Sequence, residues 1–207
     1  MWWAAIIIGS LILAEFYGYW LHVLLHSYWI PSLSKDHMNH HVLSYPPGKS
    51  QRSSEYIQKT NGSKLILGLG LEWIIPSIFL LIFTIGLELL IGMNIFQVLV
   101  SVTVILAYSI FLFWFLHETL HLKDNKILKI KFLRKWYLNA RKMHDIHHHY
   151  VDNKGLMNKN YGIAFFAFDR IFGSYLCSMR GRYNKEGLNL AKEKLDKHTN
   201  KKIKKDN

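Results

Sequence analysis

The sequence predicts an all-α integral membrane protein, with about three transmembrane helices and a histidine-rich di-metal cap on the cytosolic side. Three observations carry this. Half of the 207 residues are apolar and 14% are aromatic, yet the formal charge is +12. That mixture is foreign to a soluble globule and ordinary for a membrane protein with a basic face. Three apolar stretches, 2–25, 65–91 and 95–116, are each long enough to cross a hydrocarbon core of about 30 Å. The histidines, finally, repeat an order: H-x-x-x-H and then H-x-x-H-H, twice over.

The first stretch, residues 2–25, is apolar apart from Ser10, Glu15 and His22. As a helix it rises about 36 Å, with Trp2 and Trp3 marking one interface and Tyr28 and Trp29 the other. A cleaved signal peptide fits poorly, because no basic segment precedes the run and His22 and His26 stand at its end. Residues 31–64 are polar. Pro31, Ser32, Ser34, Lys35 and Asp36 read as a turn and a helix start, which puts His37–His41 in the first turns of a short helix. Tyr45-Pro46-Pro47-Gly48 stops that helix, and a solvated loop continues to Ser63.

Residues 65–91 and 95–116 are joined only by Gly92-Met93-Asn94, so they read as an antiparallel hairpin of spanning helices, with Pro76 kinking the first. His117 opens where the second span ends, and the chain then turns basic and amphipathic. Aromatic runs alternating with Asp169 and Arg170 over 161–177 predict a helix lying against the membrane or the metal domain. From Lys185 a lysine-rich tail with no apolar face is expected to be solvated. The expected division is therefore a membrane catalytic domain, 1–180, and a disordered tail, 181–207. All 26 Lys and Arg lie in 27–64 and 118–207, which places both histidine-bearing segments on the cytosolic side and the N-terminus outside.

The histidine boxes hold the chemistry. They are His22 and His26; His37, His40 and His41; His117 and His121; and His144, His147 and His148. Residues three and four apart share a helix face, so each box aims two or three imidazoles at one place. Ten rings are too many for one metal and suit two. Imidazole is a neutral ligand for Fe, Zn, Cu or Ni, largely unprotonated at cytosolic pH. Two divalent ions would bring roughly +4 into such a shell, to be offset by hydroxide, water or a nearby carboxylate. Zinc-stapled helix ends are the bland alternative, but structural zinc takes four ligands and often cysteine. The chain has one cysteine, Cys177, which also excludes an internal disulfide and an iron–sulfur cluster.

The four ordered boxes, with Asn160-Tyr161-Gly162 and Phe168-Asp169-Arg170-Ile171-Phe172-Gly173-Ser174 after the last, resemble the fatty acid hydroxylase superfamily. That superfamily comprises membrane di-iron fatty acyl hydroxylases, sterol desaturases and methyl-sterol oxidases, and the resemblance runs from His22 to Ser174. It implies that the ten box histidines ligate two Fe ions, for which Zn can substitute in purified protein. It implies an oxidoreductase, a non-haem di-iron lipid monooxygenase using dioxygen and two electrons. Hydroxylation of a fatty acyl chain or ceramide is the favoured reading, and Tyr45-Pro46-Pro47 is a short cue toward it. Sterol desaturation or methyl-sterol oxidation is the alternative within the family.

His117-Glu118-Thr119-Leu120-His121 also matches H-E-x-x-H, the helix of zinc metalloproteases, in which the Glu is the general base. An intramembrane protease would leave seven box histidines unexplained. A metal transporter would place ligands within the spans rather than at one face. Glu15 lies on the His22 and His26 face about 10 Å outward, as a hydrogen-bonded acid between helices or as a functional carboxylate. Glu72 and Glu88 lie nearer span ends. His149 is an outer ring or an exposed residue; Asp145 either orients an imidazole or lies on a solvated surface; Asn160, Tyr161, Asp169 and Arg170 brace the metal domain. No haem module, flavin fingerprint or cysteine cluster is present, so a separate electron donor is expected, besides a lipid substrate and the membrane, and no nucleic acid. The basic face suits an acidic carrier or anionic headgroups. The compartment is the endoplasmic reticulum in a eukaryote, where Lys204-Lys205-Asp206-Asn207 would match a di-lysine retrieval signal, or the plasma membrane in a bacterium.

Overall fold

A computed structural model describes residues 2–49, 54–57, 71–178 and 183–203. The described chain is helical: α1 (Trp2–Ser27), α2 (Pro31–Asn39) running into a π-helical turn (His40–Ser44), α3 (Leu71–Leu90) and α4 (Ile95–Ile110). A π-helical segment (Phe111–Leu116), α5 (His117–Leu120), a 3-10 turn (Lys126–Lys129), α6 (Lys131–His149), α7 (Ala167–Ile171) and α8 (Lys185–Ile203) follow. Three stretches are long and apolar enough to cross a membrane: Trp2–Ser27, Trp73–Leu90 and Ile95–Leu120. Phe79, Ile82, Phe83, Leu90, Phe96 and Leu99 project outward from the hairpin, as lipid-facing residues do. These are the features of an integral membrane protein. The part of the second apolar stretch at 65–70, the loop at 58–63 and the terminal 204–207 lie outside the described residues.

The hairpin turn follows from its sequence. Gly92 takes φ +86°, a conformation costly for a residue with a Cβ, and Asn94 caps α4. The Asn94 side chain accepts from the Gln97 backbone N–H at 3.1 Å, and the Gln97 side chain accepts from the Asn94 backbone N–H at 2.9 Å. Helix α1 packs along α4, and the approach is close at Gly18, where an added Cβ would stand 2.8 Å from the Phe113 ring. Pro76 sits within the second turn of α3, and the Ser77 hydroxyl there donates to the Trp73 carbonyl at 2.6 Å.

The main core lies at the histidine end of the spans. Leu25, Leu112, Leu116 and Leu120 meet Tyr137, Ala140, Met143 and Ile146 of α6. Those four α6 residues recur every third position, so they wrap as a buried band around about half of the helix, with Leu133 and Trp136 packed beside them. The core is thus a floor on which α6 lies with its histidine face toward α1 and α2.

Three expectations need correction. The second box does not open its helix. Pro31 occupies the first turn of α2, where its missing N–H costs nothing, so His37 and His40 fall at the end. The segment 161–177 is not one helix: only Ala167–Ile171 is helical, and buried side-chain bonds hold the rest. The expected disordered tail is helical over Lys185–Ile203. Asn184 starts it by accepting the Gly187 N–H at 2.8 Å. Leu188, Ala191 and Leu195 then form a narrow stripe that packs on Met38, Val42, Val151 and Met157. Three apolar side chains among many lysines are a weak pattern along the sequence, but the box-two helix and the chain after α6 give them a surface.

Candidate metal centre

Ten imidazoles from four elements converge at the C-terminal ends of the spans Trp2–Ser27 and Ile95–Leu120. His22 and His26 come from the last turns of α1, and His117 and His121 from α5 and its C-terminal boundary. His37, His40 and His41 come from the α2 junction, and His144, His147 and His148 from the end of α6. Donor nitrogens form two groups, each within 4.8 Å throughout: His22, His26, His37, His41 and His147; and His40, His117, His121 and His148. The doubled histidines divide between them. His40 and His41 go to different groups, as do His147 and His148, because neighbours on a helix point about 100° apart. His144 stands against the second group, its Nε2 2.9 Å from that of His121.

The spacing fits metal coordination. Two nitrogens each about 2.1 Å from an ion and at right angles to it lie about 3.0 Å apart. The Nε2 atoms of His26 and His37 are 3.1 Å apart, and those of His41 and His147 3.2 Å. The rings of His41 and His148 stack at 4.0 Å, so the two groups share a wall. Nitrogens of His22, His26, His40, His41, His117, His144 and His148 are buried without a hydrogen-bond partner. Buried polar atoms are rarely left so, and an ion between them is the natural partner. The clusters can bind metal.

Burial sets the protonation. Outside the spans, burial first and neighbouring imidazoles second hold His37, His40, His41, His121, His144 and His148 well below the usual histidine range. His147 is pushed down to about 4 by burial, against an opposing bond to the Lys159 carbonyl. These rings are neutral at pH 7, the form in which imidazole binds an ion.

An outer frame fixes two of the rings. His22 Nδ1 lies 2.6 Å from the Tyr161 carbonyl oxygen and His147 Nδ1 2.6 Å from that of Lys159. Each Nδ1–H donates outward, which leaves Nε2 aimed inward. The intervening Asn160 is fully buried at φ +54°. Its Nδ2 donates to the Met143 carbonyl at 3.2 Å and the Leu176 carbonyl at 2.8 Å, and its Oδ1 accepts the Leu176 N–H at 2.8 Å. Asp169 accepts from the Tyr161 N–H at 2.7 Å, the Gly162 N–H at 2.8 Å and the Ser174 hydroxyl at 2.6 Å. Asn160, Tyr161 and Asp169 therefore brace the cluster as expected, while Arg170 lies over the Tyr175 ring at 4.1 Å.

Other candidates settle differently. His149 is in neither group: its Nδ1 accepts from the Gly48 N–H at 2.9 Å. Asp145 is not on a solvated surface but is buried, hydrogen-bonded to the Tyr56 hydroxyl and pushed up to about 7 by burial. Glu118 belongs to neither donor group, and both groups are wholly imidazole. Glu15 accepts from the Tyr108 hydroxyl at 2.6 Å, a bond between α1 and α4. Glu88 is buried and accepts from the Ser101 hydroxyl, which in turn lies 2.8 Å from the Ser10 hydroxyl. Two aromatic walls were missed in the sequence. The Tyr45 ring stacks on His121 at 3.8 Å, and Trp73 packs edge-on against His22 at 5.8 Å and His37 at 5.6 Å. Tyr45 follows His41 by four residues, a signal that could have placed it beside the box; Trp73 offered none.

The family model described as fatty acid hydroxylase matches residues 7–174, most of the chain. No curated protein and no solved structure matches it.

Proposed function

The chain belongs to the fatty acid hydroxylase family, and from that premise we propose that it is a membrane di-iron monooxygenase that hydroxylates a lipid acyl chain. Membership implies an oxidoreductase of the membrane hydroxylase and desaturase kind, and a family generally dependent on iron. The observation that carries the finer reading is the pair of all-imidazole groups at one end of three spans. His22, His26, His37, His41 and His147 would hold one ion. His40, His117, His121 and His148, with His144 beside them, would hold the other. When bound, iron supplies the activation of dioxygen: a lipid C–H bond, O2, two electrons and two protons give an alcohol and water.

The protein's own part is positional. The Tyr161 and Lys159 carbonyls hold His22 and His147 in one tautomer, and Asn160 and Asp169 hold those carbonyls. Burial keeps the rings neutral and excludes bulk water. The spans bring an apolar chain to the mouth of the cluster, and a separate reductase or carrier delivers electrons at the basic face, taken as cytosolic from the Lys and Arg distribution. A desaturase or sterol oxidase would use the same residues and differ in whether oxygen enters the product.

The test is reconstitution of iron-loaded protein with a reductase, NAD(P)H and labelled dioxygen, alongside metal analysis. Label in a lipid hydroxyl and two irons per chain support the proposal. An unlabelled new double bond makes the chain a desaturase. One tightly bound ion per active chain, or no oxygen-dependent product from acyl, ceramide and sterol lipids, refutes it.

A further inference from the structure

Away from the histidines, the membrane-facing side of α1 carries a groove of about 740 Å³, within the range of small-molecule sites. Ile8, Ile12, Phe165 and Phe168 line it, so its walls are almost wholly apolar. Two residues break that pattern: Glu15 and Tyr108, paired by the 2.6 Å hydrogen bond between α1 and α4. Lipid tails give neither group anything to bond. The pair is satisfied only in part by its own bond, so an occupant that carries a donor can add a bond that the tails cannot.

The capacity to use it is present. A carboxyl has about four acceptor sites; Tyr108 takes one at Oε1 and the Phe165 backbone N–H another, which leaves about two for an occupant. The position along α1 is also informative. Glu15 precedes His22 by seven residues, about 10 Å of helical rise, and faces the same side. From Phe168 in the groove wall, ring contacts run to Tyr19 at 6.4 Å, on to Tyr161 at 5.7 Å, and then to His22 at 5.6 Å. The groove and the cluster thus share a continuous aromatic wall.

We propose that this groove holds a lipid chain and that Glu15, positioned by Tyr108, accepts a hydrogen bond from a donor group on it. The ligand class is an otherwise apolar lipid with a hydroxyl or amide N–H about 10 Å from the metal cluster. A plain hydrocarbon chain fills the groove but adds no hydrogen bond to the pair. The inference deepens the lipid hydroxylase reading and rests on it for the identity of the reaction, but not for binding. Glu15 is a specificity-determining residue here, with no part in the chemistry.

Three photoreactive C16 probes test this on the full chain in nanodiscs: one with a mid-chain hydroxyl, one with an amide, and one with a methyl ether that cannot donate. The donor probes are expected to label peptides containing Ile8, Ile12 or Phe168 roughly three- to tenfold more than the ether, the weight of one hydrogen bond. Whichever donor labels more strongly identifies the source. Glu15→Leu and Tyr108→Phe should bring the donor probes down to the ether's level, while metal per chain stays at the wild-type value. Equal labelling by donor and ether probes overturns the proposal. So does a donor preference that survives Glu15→Leu, or a variant that lowers only the unfolding midpoint, as a merely bracing pair would. The same probes offered to the reconstituted enzyme separate the two readings. Donor-selective binding without oxidation sinks the hydroxylase reading alone; oxidation without donor selectivity sinks the groove proposal alone.

Discussion

Replacing Asn160 with alanine should cost the protein metal as well as stability, because one side chain holds the peptide whose two ends orient His147 and His22. Alanine removes three side-chain hydrogen bonds, to the Met143 carbonyl, the Leu176 carbonyl and the Leu176 N–H. At about 1 kcal/mol each for groups left buried, that is about 3 kcal/mol. Alanine is also poorly suited to φ +54°, which adds about 1 kcal/mol. Glycine removes the second cost and not the first, so stability should fall in the order wild type, Asn160→Gly, Asn160→Ala. The functional consequence is selective. The carbonyls of Lys159 and Tyr161 flank Asn160, and both serve rings of the five-histidine group. Losing such outer partners typically lowers metal affinity about 10- to 100-fold. Metal per chain, measured against chelator concentration, should drop for one ion well before the other. If Asn160→Ala holds both ions as tightly as wild type, or releases them together, the brace does not act through His22 and His147.

His147→Ala should abolish metal at the same group together with activity, whereas His149→Ala, whose ring bonds Gly48 instead, should retain both by metal analysis and turnover. Acid should destabilise the metal-free protein. His147 takes a proton at about 6.5 when unfolded and only at about 4 when folded. Its contribution, about 3 kcal/mol, is complete above pH 6.5 and lost as pH falls toward 4. Thermal unfolding of stripped protein between pH 8 and 5 should show the midpoint falling, and a flat profile would mean that these rings are not buried neutral. Leu195→Asp should cost about 2–5 kcal/mol and loosen the box-two helix, because it breaks the packing on Met38 and Val42. A variant ending at residue 184 that unfolds at the wild-type temperature would return α8 to the status of a tail.

The spans and the cluster were legible because their signals are local. Apolar runs of fixed length and imidazoles three or four apart need no knowledge of the rest of the chain. The division of the ten histidines into two groups was not legible. It depends on how α2, with its π-helical turn at His40–Ser44, meets α6, and a π turn shifts side-chain direction in a way no short pattern announces. The same holds for α8. Its stripe of Leu188, Ala191 and Leu195 is too narrow to predict a helix in water, and becomes one by packing on a surface assembled from residues 38, 42, 151 and 157. Asp145 was misplaced for a related reason: its partner Tyr56 lies 89 positions away.

The segment after the last box shows why a brace must be non-local. Among the described residues the two histidine groups contain no carboxylate, and the outward Nδ1 atoms of His22 and His147 meet backbone carbonyls. A carbonyl is useful only if its peptide is fixed, and Lys159-Asn160-Tyr161 lies outside any helix. Asn160 and Asp169 supply the missing rigidity by taking bonds that a helix would otherwise make. Asn tolerates the left-handed turn, and the buried Asp169 carboxyl gathers two backbone N–H groups and the Ser174 hydroxyl. That hydroxyl lies 3.1 Å from the Tyr19 hydroxyl, one turn before His22 on α1. The loop is thereby tied to the same membrane helix whose imidazole it orients, so α1 cannot shift against the cluster without breaking the brace.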